Sequence, residues 1–314
     1  TIQGNRNWLQ AREGRLSSEL LGEFEPLLPI ATPGYSDSGT FDECLELLHL
    51  AGRSLPHAIL MMLPPAWEND DTLDHDVRAF YEYNNTLIEP WDGPAHIIFT
   101  DGTQVGALLD RNGFRPGRWQ LDDTGLVVLA SEAGVLPDVA AEHVSAKGRL
   151  EPGRMFLVDT AEGRIVPDDE IKHALAAQHP YRQWVEGNSV HMNELPAREH
   201  VNHSYESVLR RQRAFGYTEE DIKLILNPMA DTGKEPLGSM GNDTPMAVLS
   251  DRSRMLFDYF TQKFAQVTNP PLDWERERIV TCLESAIGPE PNLLEDTELH
   301  AKKILIPLPV INSE

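Results

Sequence analysis

Apolar residues in the first third of the chain recur at the spacing of amphipathic helices. One helix is predicted over residues 40–52, where leucines supply an apolar face and Thr40 with Glu43 matches a capping box. A second helix is predicted over His75–Asn84, which carries a valine and three aromatic residues. The apolar run at residues 58–63 ends at two prolines. It is far shorter than the roughly 20 residues of a membrane-spanning helix, so no membrane segment is predicted.

From Pro94 to Asp168 the pattern changes to short strands separated by turn residues. Asp101-Gly102 is a strong hairpin signal, and further turns end at Gly113, Gly125 and Gly163. The predicted strands are His96–Phe99, Gln104–Leu109, Arg118–Leu121, Leu126–Ser131, Arg154–Asp159 and Arg164–Val166. Antiparallel hairpins therefore predominate, and the crossover helices of a doubly wound parallel sheet are missing from this part.

Helical patterns return after Asp168 and predict a second domain. The predicted helices are Glu170–Gln178, Ser204–Phe215, Glu219–Leu226, Ser253–Phe264 and Trp274–Ser285. A polar, weakly periodic stretch from Glu186 to His203 favours a linker. The sequence therefore predicts a first domain over residues 1–187, a linker over 188–204 and a second domain over 205–314, and 314 residues are enough for two cores.

Charge and cysteine content exclude several classes of function. The chain has 50 acidic and 27 basic residues, a formal net charge of -23, so its surface should repel nucleic acid and anionic membranes. No secretory signal is predicted. The two cysteines, Cys44 and Cys282, favour a reduced compartment such as the cytoplasm, without disulfides. They are also too few for an iron–sulfur cluster held by this chain alone.

Four features carry weak candidate chemistry. Thr1 could act as an N-terminal nucleophile with its own amine as base, or it could be an interior residue of a longer protein. His200 and His203, with His191 nearby, have metal-ligand spacing but no convincing third ligand, which favours surface histidines. The glycine-rich stretch Gly238–Pro245 matches no phosphate-binding motif, and His96 in an apolar strand reads as a core or edge histidine.

Asp37, between two serines and just before a predicted helix, is the strongest candidate. Such a residue commonly caps a helix or makes an Asx-turn. Here Thr40 and Glu43 can already form a capping box, which would leave the Asp37 carboxylate free. A free carboxylate there is a good partner for a ligand ammonium group, because charge-assisted hydrogen bonds are strong.

Long strings of residues resemble an internal segment of the large subunit of the glutamate synthases. They are GNRNW at 4–8, SDSGTFDECLELL at 36–48, MMLPPAWEND at 61–70, DGPAHIIFTDG at 92–102, GALLDRNGFRPGRW at 106–119, KGRLEPGRMFLVDT at 147–160, GKEPLGSMGNDTPMAVLSDR at 233–252, FAQVTNPPLD at 264–273 and GPEPNLLEDT at 288–297. The resemblance covers essentially the whole chain. The DRNGFRP string alone is also similar to class II glutamine amidotransferases in general.

The resemblance implies an α+β part followed by an α/β part. Residues 1–187 would be the later part of a class II glutamine amidotransferase domain, an N-terminal-nucleophile αββα sandwich. Residues 205–314 would begin the central domain that joins the glutaminase to the synthase site. In this family the Asp of a Ser-Asp-Ser motif holds the α-ammonium of L-glutamine, and Asp37 matches that position.

The same resemblance implies a reaction and its partners. Members hydrolyse glutamine, pass ammonia through an internal tunnel to 2-oxoglutarate, and reduce the resulting iminoglutarate at a flavin to give glutamate. FMN and an iron–sulfur cluster are implied for the full-length protein and no cofactor for this segment. Electrons would come from a small subunit or from ferredoxin. The enzyme would be cytoplasmic.

The family's catalytic groups are expected upstream of this chain. The nucleophilic cysteine, the arginine for the glutamine carboxylate and the Asn-Gly pair of the oxyanion hole would all precede Thr1, which becomes an interior residue. Cys44 and Cys282 read as buried helical cysteines. No catalytic residue is therefore predicted here, and the segment alone should be inactive.

Three alternatives stay open at the level of the sequence. The chain could be a non-catalytic amidotransferase-like scaffold subunit acting in trans. It could be an N-terminal-threonine hydrolase using Thr1. It could also be an amidotransferase with another product, although the matching strings over 233–297 argue against that, because they lie outside the shared amidotransferase domain.

Overall fold

The structure, a computed structural model, describes residues 2–137, 139–196, 202–232, 236, 249–251, 253, 256 and 274–308. Its residues divide into two compact units by their contacts. The first comprises residues 1–196 and 271–312, and the second comprises residues 197–270 and 313–314. Distant parts of the sequence therefore build the first unit together.

Four helices precede the strands: α1 (Arg6–Arg12), α2 (Asp37–Leu50), α3 (Leu55–Met62) and α4 (His75–Asn85). All eight residues of α3 are buried, so this helix runs through the middle of the main core. Helix α4 buries one face, with Phe80 and Tyr81 almost fully enclosed. The helix begins directly after its N-cap residue, Asp74, whose side chain accepts hydrogen bonds from the backbone amides of Asp76 and Val77.

The first sheet has four antiparallel strands in the order β1-β2-β6-β7. These are β1 (His96–Thr100), β2 (Gln104–Leu109), β6 (Phe156–Asp159) and β7 (Arg164–Val166). Phe99 of β1 pairs with Gly106 of β2, and its ring occupies the space where a Cβ at Gly106 would lie. One face of the sheet, including Phe99 and Leu108, joins the main core with the helices.

The second sheet packs against the opposite face of the first. Its strands are β3 (Arg118–Asp122), β4 (Val127–Ala130) and β5 (Val144–Arg149), in the order β4-β3-β5 and antiparallel throughout. Ala107 and Leu109 of β2 form a separate apolar cluster with Leu150, and Trp119 of β3 packs against it. Helices, first sheet and second sheet are thus successive layers of this unit.

Three more helices and a small sheet complete the first unit. Helices α5 (Asp168–Ala176) and α6 (Tyr181–Asn188) lead into β8 (Val190–His191). Helix α10 (Trp274–Val280) precedes β9 (Ser285–Ile287) and β10 (Ile304–Ile306), and β10 pairs with β8 in parallel and with β9 in antiparallel. Residues 285–306, which we term the docked segment, therefore belong to the same compact unit as the first 196 residues.

The longest described stretch of the second unit, residues 202–232, is mostly helical. Helix α7 (Tyr205–Ala214) is followed by α8 (Glu219–Asp221), which continues through a π-helical turn (Ile222–Leu226) into α9 (Asn227–Thr232). Thr218 and Asp221 form a capping box at the start of α8. Within the described ranges, no helix combines the length and apolar character needed to cross a bilayer.

The mixed helical and antiparallel architecture predicted from the sequence is confirmed, with two local corrections. Helix α2 begins at Asp37, three residues before the predicted start. Helix α10 ends at Val280, so Cys282 lies outside the helix and is only partly buried, contrary to the prediction. The predicted helix Ser253–Phe264 falls largely outside the described residues.

Candidate functional site

Asp37 is the first residue of α2, and Ser36 is the helix N-cap. The Ser36 hydroxyl accepts a hydrogen bond from the Gly39 amide at 3.1 Å. The predicted Thr40–Glu43 capping box is wrong, because both residues lie inside the helix and Glu43 instead accepts a bond from the Thr32 amide. Ser36 and Thr40 are both good N-cap residues, so the sequence alone does not distinguish them, and only the three-dimensional contact does.

The carboxylate of Asp37 is paired rather than free. Arg6 donates from Nη2 to Asp37 Oδ1 at 2.9 Å, and the two side chains are 31% and 33% exposed. Arg6 opens helix α1, where Asn5 accepts a hydrogen bond from the Trp8 amide as the N-cap. Arg6 is a candidate site residue that was not predicted from the sequence. Its only sequence signal was membership of the GNRNW string.

An aromatic bridge brings the two helix starts together. Gly4 packs so closely on the Trp91 indole that a Cβ there would lie 2.3 Å from a ring carbon. Trp91 also packs against the Phe41 ring of α2, with the two ring planes nearly perpendicular and their centroids 5.4 Å apart. Gly4 precedes Arg6 by two residues, and Phe41 follows Asp37 by four. The packing of Gly4 and Phe41 on Trp91 therefore holds the start of α1 close to the start of α2, where Arg6 and Asp37 form their ion pair.

The pair presents a partly exposed carboxylate that can accept one more charged donor. Oδ1 is held by Arg6, whereas an aspartate carboxylate has lone pairs on both oxygens. A primary ammonium group with three donors suits such an oriented acceptor. The arrangement can therefore bind and orient an amine, and it supplies no nucleophile.

The two cysteines do not supply that nucleophile. Cys44 is fully buried in α2, as predicted, and burial raises the pKa of its thiol to about 12. Burial also raises the pKa of Cys282, where the nearby carboxylates of Glu68 and Glu284 act in the same direction. Since the thiolate is the reactive form, both sites disfavour nucleophilic chemistry.

The weaker candidates acquire no site among the described residues. Thr1, His200 and the Gly238–Pro245 stretch lie outside them. His96 begins the edge strand β1, and burial lowers its pKa. No group of three or more potential metal-ligating side chains occurs in the ranges that the structure describes, which include His191 and His203.

Two family models match the chain. The model for class II glutamine amidotransferases matches residues 1–184, and the model for the glutamate synthase central domain matches residues 210–314. Together they account for most of the chain, on either side of the polar stretch that follows α6.

Curated relatives match the chain over essentially its full length. It is 46% identical to the glutamate synthase [NADPH] large chain of Bacillus subtilis, over 100% of this chain and 21% of that protein. It is 45% identical to the glutamate synthase [NADH] of Schizosaccharomyces pombe, of which it covers 15%. It is 40% identical to the ferredoxin-dependent glutamate synthase of Antithamnion sp., of which it covers 20%. The chain thus spans about a fifth of the length of these relatives.

Proposed function

Because this chain belongs to the class II glutamine amidotransferases, in the form that glutamate synthases join to their central domain, we propose that it contributes part of a glutamine-binding site. The observation that carries the proposal is the partly exposed carboxylate of Asp37, oriented by Arg6. Asp37 binds the α-ammonium of L-glutamine. It thereby selects an α-amino acid and takes no part in bond cleavage.

Arg6 has a positioning role in this proposal. Its hydrogen bond to Oδ1 fixes the plane of the carboxylate and leaves Oδ2 for the substrate. Fixing the acceptor before the ligand arrives lowers the entropic cost of binding. The charge of Arg6 also opposes a second cation, so the hydrogen-bond geometry has to supply much of the affinity.

The whole protein, on this proposal, is a glutamate synthase. It releases ammonia from glutamine, passes it through an internal tunnel to 2-oxoglutarate and reduces the product to glutamate. Residues 1–187 belong to an αββα amidotransferase domain and residues 205–314 to an α/β central domain, with 188–204 as linker. The family matches support this division, and the layered sheets of the first unit support the sandwich architecture.

The iron–sulfur cluster of the reaction does not fit this segment. Such a cluster takes three or four thiolates, and the chain has two cysteines, one of them fully buried in α2. The cluster therefore belongs to another part of the full-length protein, and the resemblance to the family assigns FMN there as well. The electron donor is a small subunit or ferredoxin, and the reduced cysteines are consistent with the cytoplasm.

The substitution Asp37→Asn in the full-length enzyme tests the proposal. It removes the charge that pairs with the substrate amine, so the KM for glutamine should rise on the order of ten- to a hundred-fold. Activity with free ammonia should stay unchanged, because ammonia has no α-ammonium group to bind. Steady-state kinetics with each nitrogen donor measures both.

Glu46→Gln is the matched control, since Glu46 is an exposed carboxylate on the same helix. It should leave both activities unchanged. Equal losses of glutamine-dependent and ammonia-dependent activity in Asp37→Asn would overturn the role of Asp37.

A further inference from the structure

Helices α1 and α2 both run from the Arg6–Asp37 pair towards a buried arginine. Arg6 is the first residue of α1 and Arg12 is its last. Asp37 is the first residue of α2, and Arg53 follows the last residue of that helix by three positions. At 1.5 Å per residue, the two helices are roughly 10 and 21 Å long. Each therefore links the candidate site mechanically to a distant charged group.

Arg12 is held by the docked segment through Glu290. The Arg12 side chain is only 3% exposed, and its Nη2 lies 2.8 Å from Glu290 Oε1. Its guanidinium stacks on the Trp8 ring at 3.7 Å, whereas Nε and Nη1 are buried without a hydrogen-bond partner among the described residues. Burial lowers the pKa of Arg12, and Glu290 is the main opposing influence. Glu290 is thus the principal counter-charge of Arg12.

Arg53 is held by the same segment through Asp296. Its Nη2 lies 2.7 Å from Asp296 Oδ1, and the two side chains are 5% and 15% exposed. The Arg53 backbone closes the end of α2, because its amide donates to the Leu48 carbonyl and its own carbonyl lies 2.9 Å from His49 Nδ1. Nε and Nη1 of Arg53 are again buried without a partner in the described part of the chain.

The docked segment has further attachments that do not involve α1 or α2. Tyr83 of α4 donates from its hydroxyl to the Thr297 carbonyl at 2.8 Å, and Ser189 donates to the Ala301 carbonyl at 2.9 Å. The β8–β10 pairing adds backbone hydrogen bonds. The segment also buries Leu293 and Leu305. Loss of one ion pair should therefore leave it in place.

We propose that Glu290 and Asp296 are positioning residues for the glutamine-ammonium site, acting through Arg12 with α1 and through Arg53 with α2. The proposal rests on the proposed function of Asp37. Neutralising either carboxylate leaves a buried guanidinium without its counter-charge, which is strongly unfavourable, so the arginine must shift towards water. A rigid helix passes that shift to its other end, where Arg6 and Asp37 meet.

Glu290→Gln and Asp296→Asn in the full-length glutamine-dependent enzyme test the inference. Each should raise the KM for glutamine by about tenfold, because small displacements of a positioning group are costly. The kcat with saturating glutamine and the activity with free ammonia should stay unchanged. Asp296→Glu keeps the charge and should recover part of the loss. A merely destabilising substitution would lower all activities together with the amount of folded enzyme.

Tyr83→Phe is the matched control. It removes the hydrogen bond that attaches the docked segment to α4 and leaves both ion pairs in place. It should leave the KM for glutamine unchanged. An equal rise in KM for Tyr83→Phe would overturn the inference, since general docking of the segment would then explain the effect. An unchanged KM in both charge-neutralising variants would also overturn it.

Hydrogen exchange separates this inference from the role of Asp37. The amides of Gly39 and Thr40 bond to Ser36 at the start of α2, so they report the order of the site without any substrate. They should exchange faster in Asp296→Asn than in Tyr83→Phe. If Asp37→Asn leaves glutamine use unchanged while this exchange pattern appears, the proposed function fails, the positioning role for a glutamine site fails with it, and only the structural coupling of Asp296 to the start of α2 stands. Equal exchange in the two variants overturns the positioning role.

Discussion

Because Gly4 has no side chain, the backbone before α1 can pack directly on Trp91, and this contact helps to position the candidate site. A Cβ at this residue would lie 2.3 to 2.5 Å from three atoms of the Trp91 indole, inside any permitted contact. Trp91 cannot retreat easily, because it is 3% exposed and packs against Phe41. Gly4→Ala should therefore displace the start of α1. We expect a loss of about 1–3 kcal/mol in stability, as in other overpacked cores, with a raised KM for glutamine.

Gly14→Ala is the control for this substitution. Gly14 lies two residues after the end of α1, and a Cβ at this position would meet no atom within 4 Å. Thermal unfolding of the full-length protein should show a lower Tm for Gly4→Ala alone. Equal Tm values for the two variants would show that the Gly4–Trp91 contact does not constrain α1.

At the scale of the element, the 3-10 turn Glu298–Ala301 makes the docked segment sensitive to pH. His300 in this turn is fully buried, and its Nε2 lies 3.1 Å from the Asn292 carbonyl. Burial lowers its pKa to about 4, against an ordinary value near 6.5. Between these values the undocked segment binds a proton that the docked segment excludes. Docking is therefore fully stable above pH 6.5 and weakens as the pH falls towards 4.

The weakening of docking at low pH can be measured. From pH 7 to pH 5 its docking free energy should fall by about 2 kcal/mol, from the linkage between folding and protonation. Hydrogen-exchange mass spectrometry of peptides covering residues 290–306 measures the local opening. His300→Gln cannot take up the proton, so comparison at each pH removes the intrinsic change in exchange rate. The same pH dependence in both proteins would exclude His300 as its source.

The local sequence pattern predicts well those helices and strands whose apolar residues are strongly periodic or whose ends are marked by turn residues. Helix α4 and strand β2 were predicted within one residue of their bounds, because apolar spacing and an Asp-Gly turn define them locally. Helix α1 was not predicted, since its seven residues are too few to show a period. Strand β5 was also missed: Val144–Arg149 contains two cations, a serine and a glycine, and only pairing with β3 makes it a strand.

The candidate site was predictable only in part for a similar reason. The Ser-Asp-Ser motif is local, so Asp37 could be singled out from the sequence. Its partner Arg6 lies 31 residues away, and the partner of Arg53 lies 243 residues away. Ion pairs at such separations depend on the packing of the whole unit, and no local pattern carries them.

At the scale of the whole molecule, the family match and the compact unit divide the chain differently. Residues 210–314 match the central domain, yet residues 271–312 belong to the compact unit of the first 196 residues. The docked segment contributes buried apolar side chains to the main core, among them Leu293 and Leu294. It also supplies the counter-charges of Arg12 and Arg53. The amidotransferase core is therefore completed by residues from the central-domain sequence.

A form of the protein truncated after Pro196 should consequently be unstable. It would expose the apolar surface that covers Leu293 and would leave Arg12 and Arg53 without their carboxylates, which costs several kcal/mol for each buried charge. We expect it to bind a hydrophobic dye and to unfold at a lower temperature than the intact protein. Adding residues 274–308 as a separate polypeptide should restore the Tm, whereas the same polypeptide with Glu290→Gln and Asp296→Asn should restore much less. A truncated form as stable as the intact protein would show that the docked segment is not part of this core.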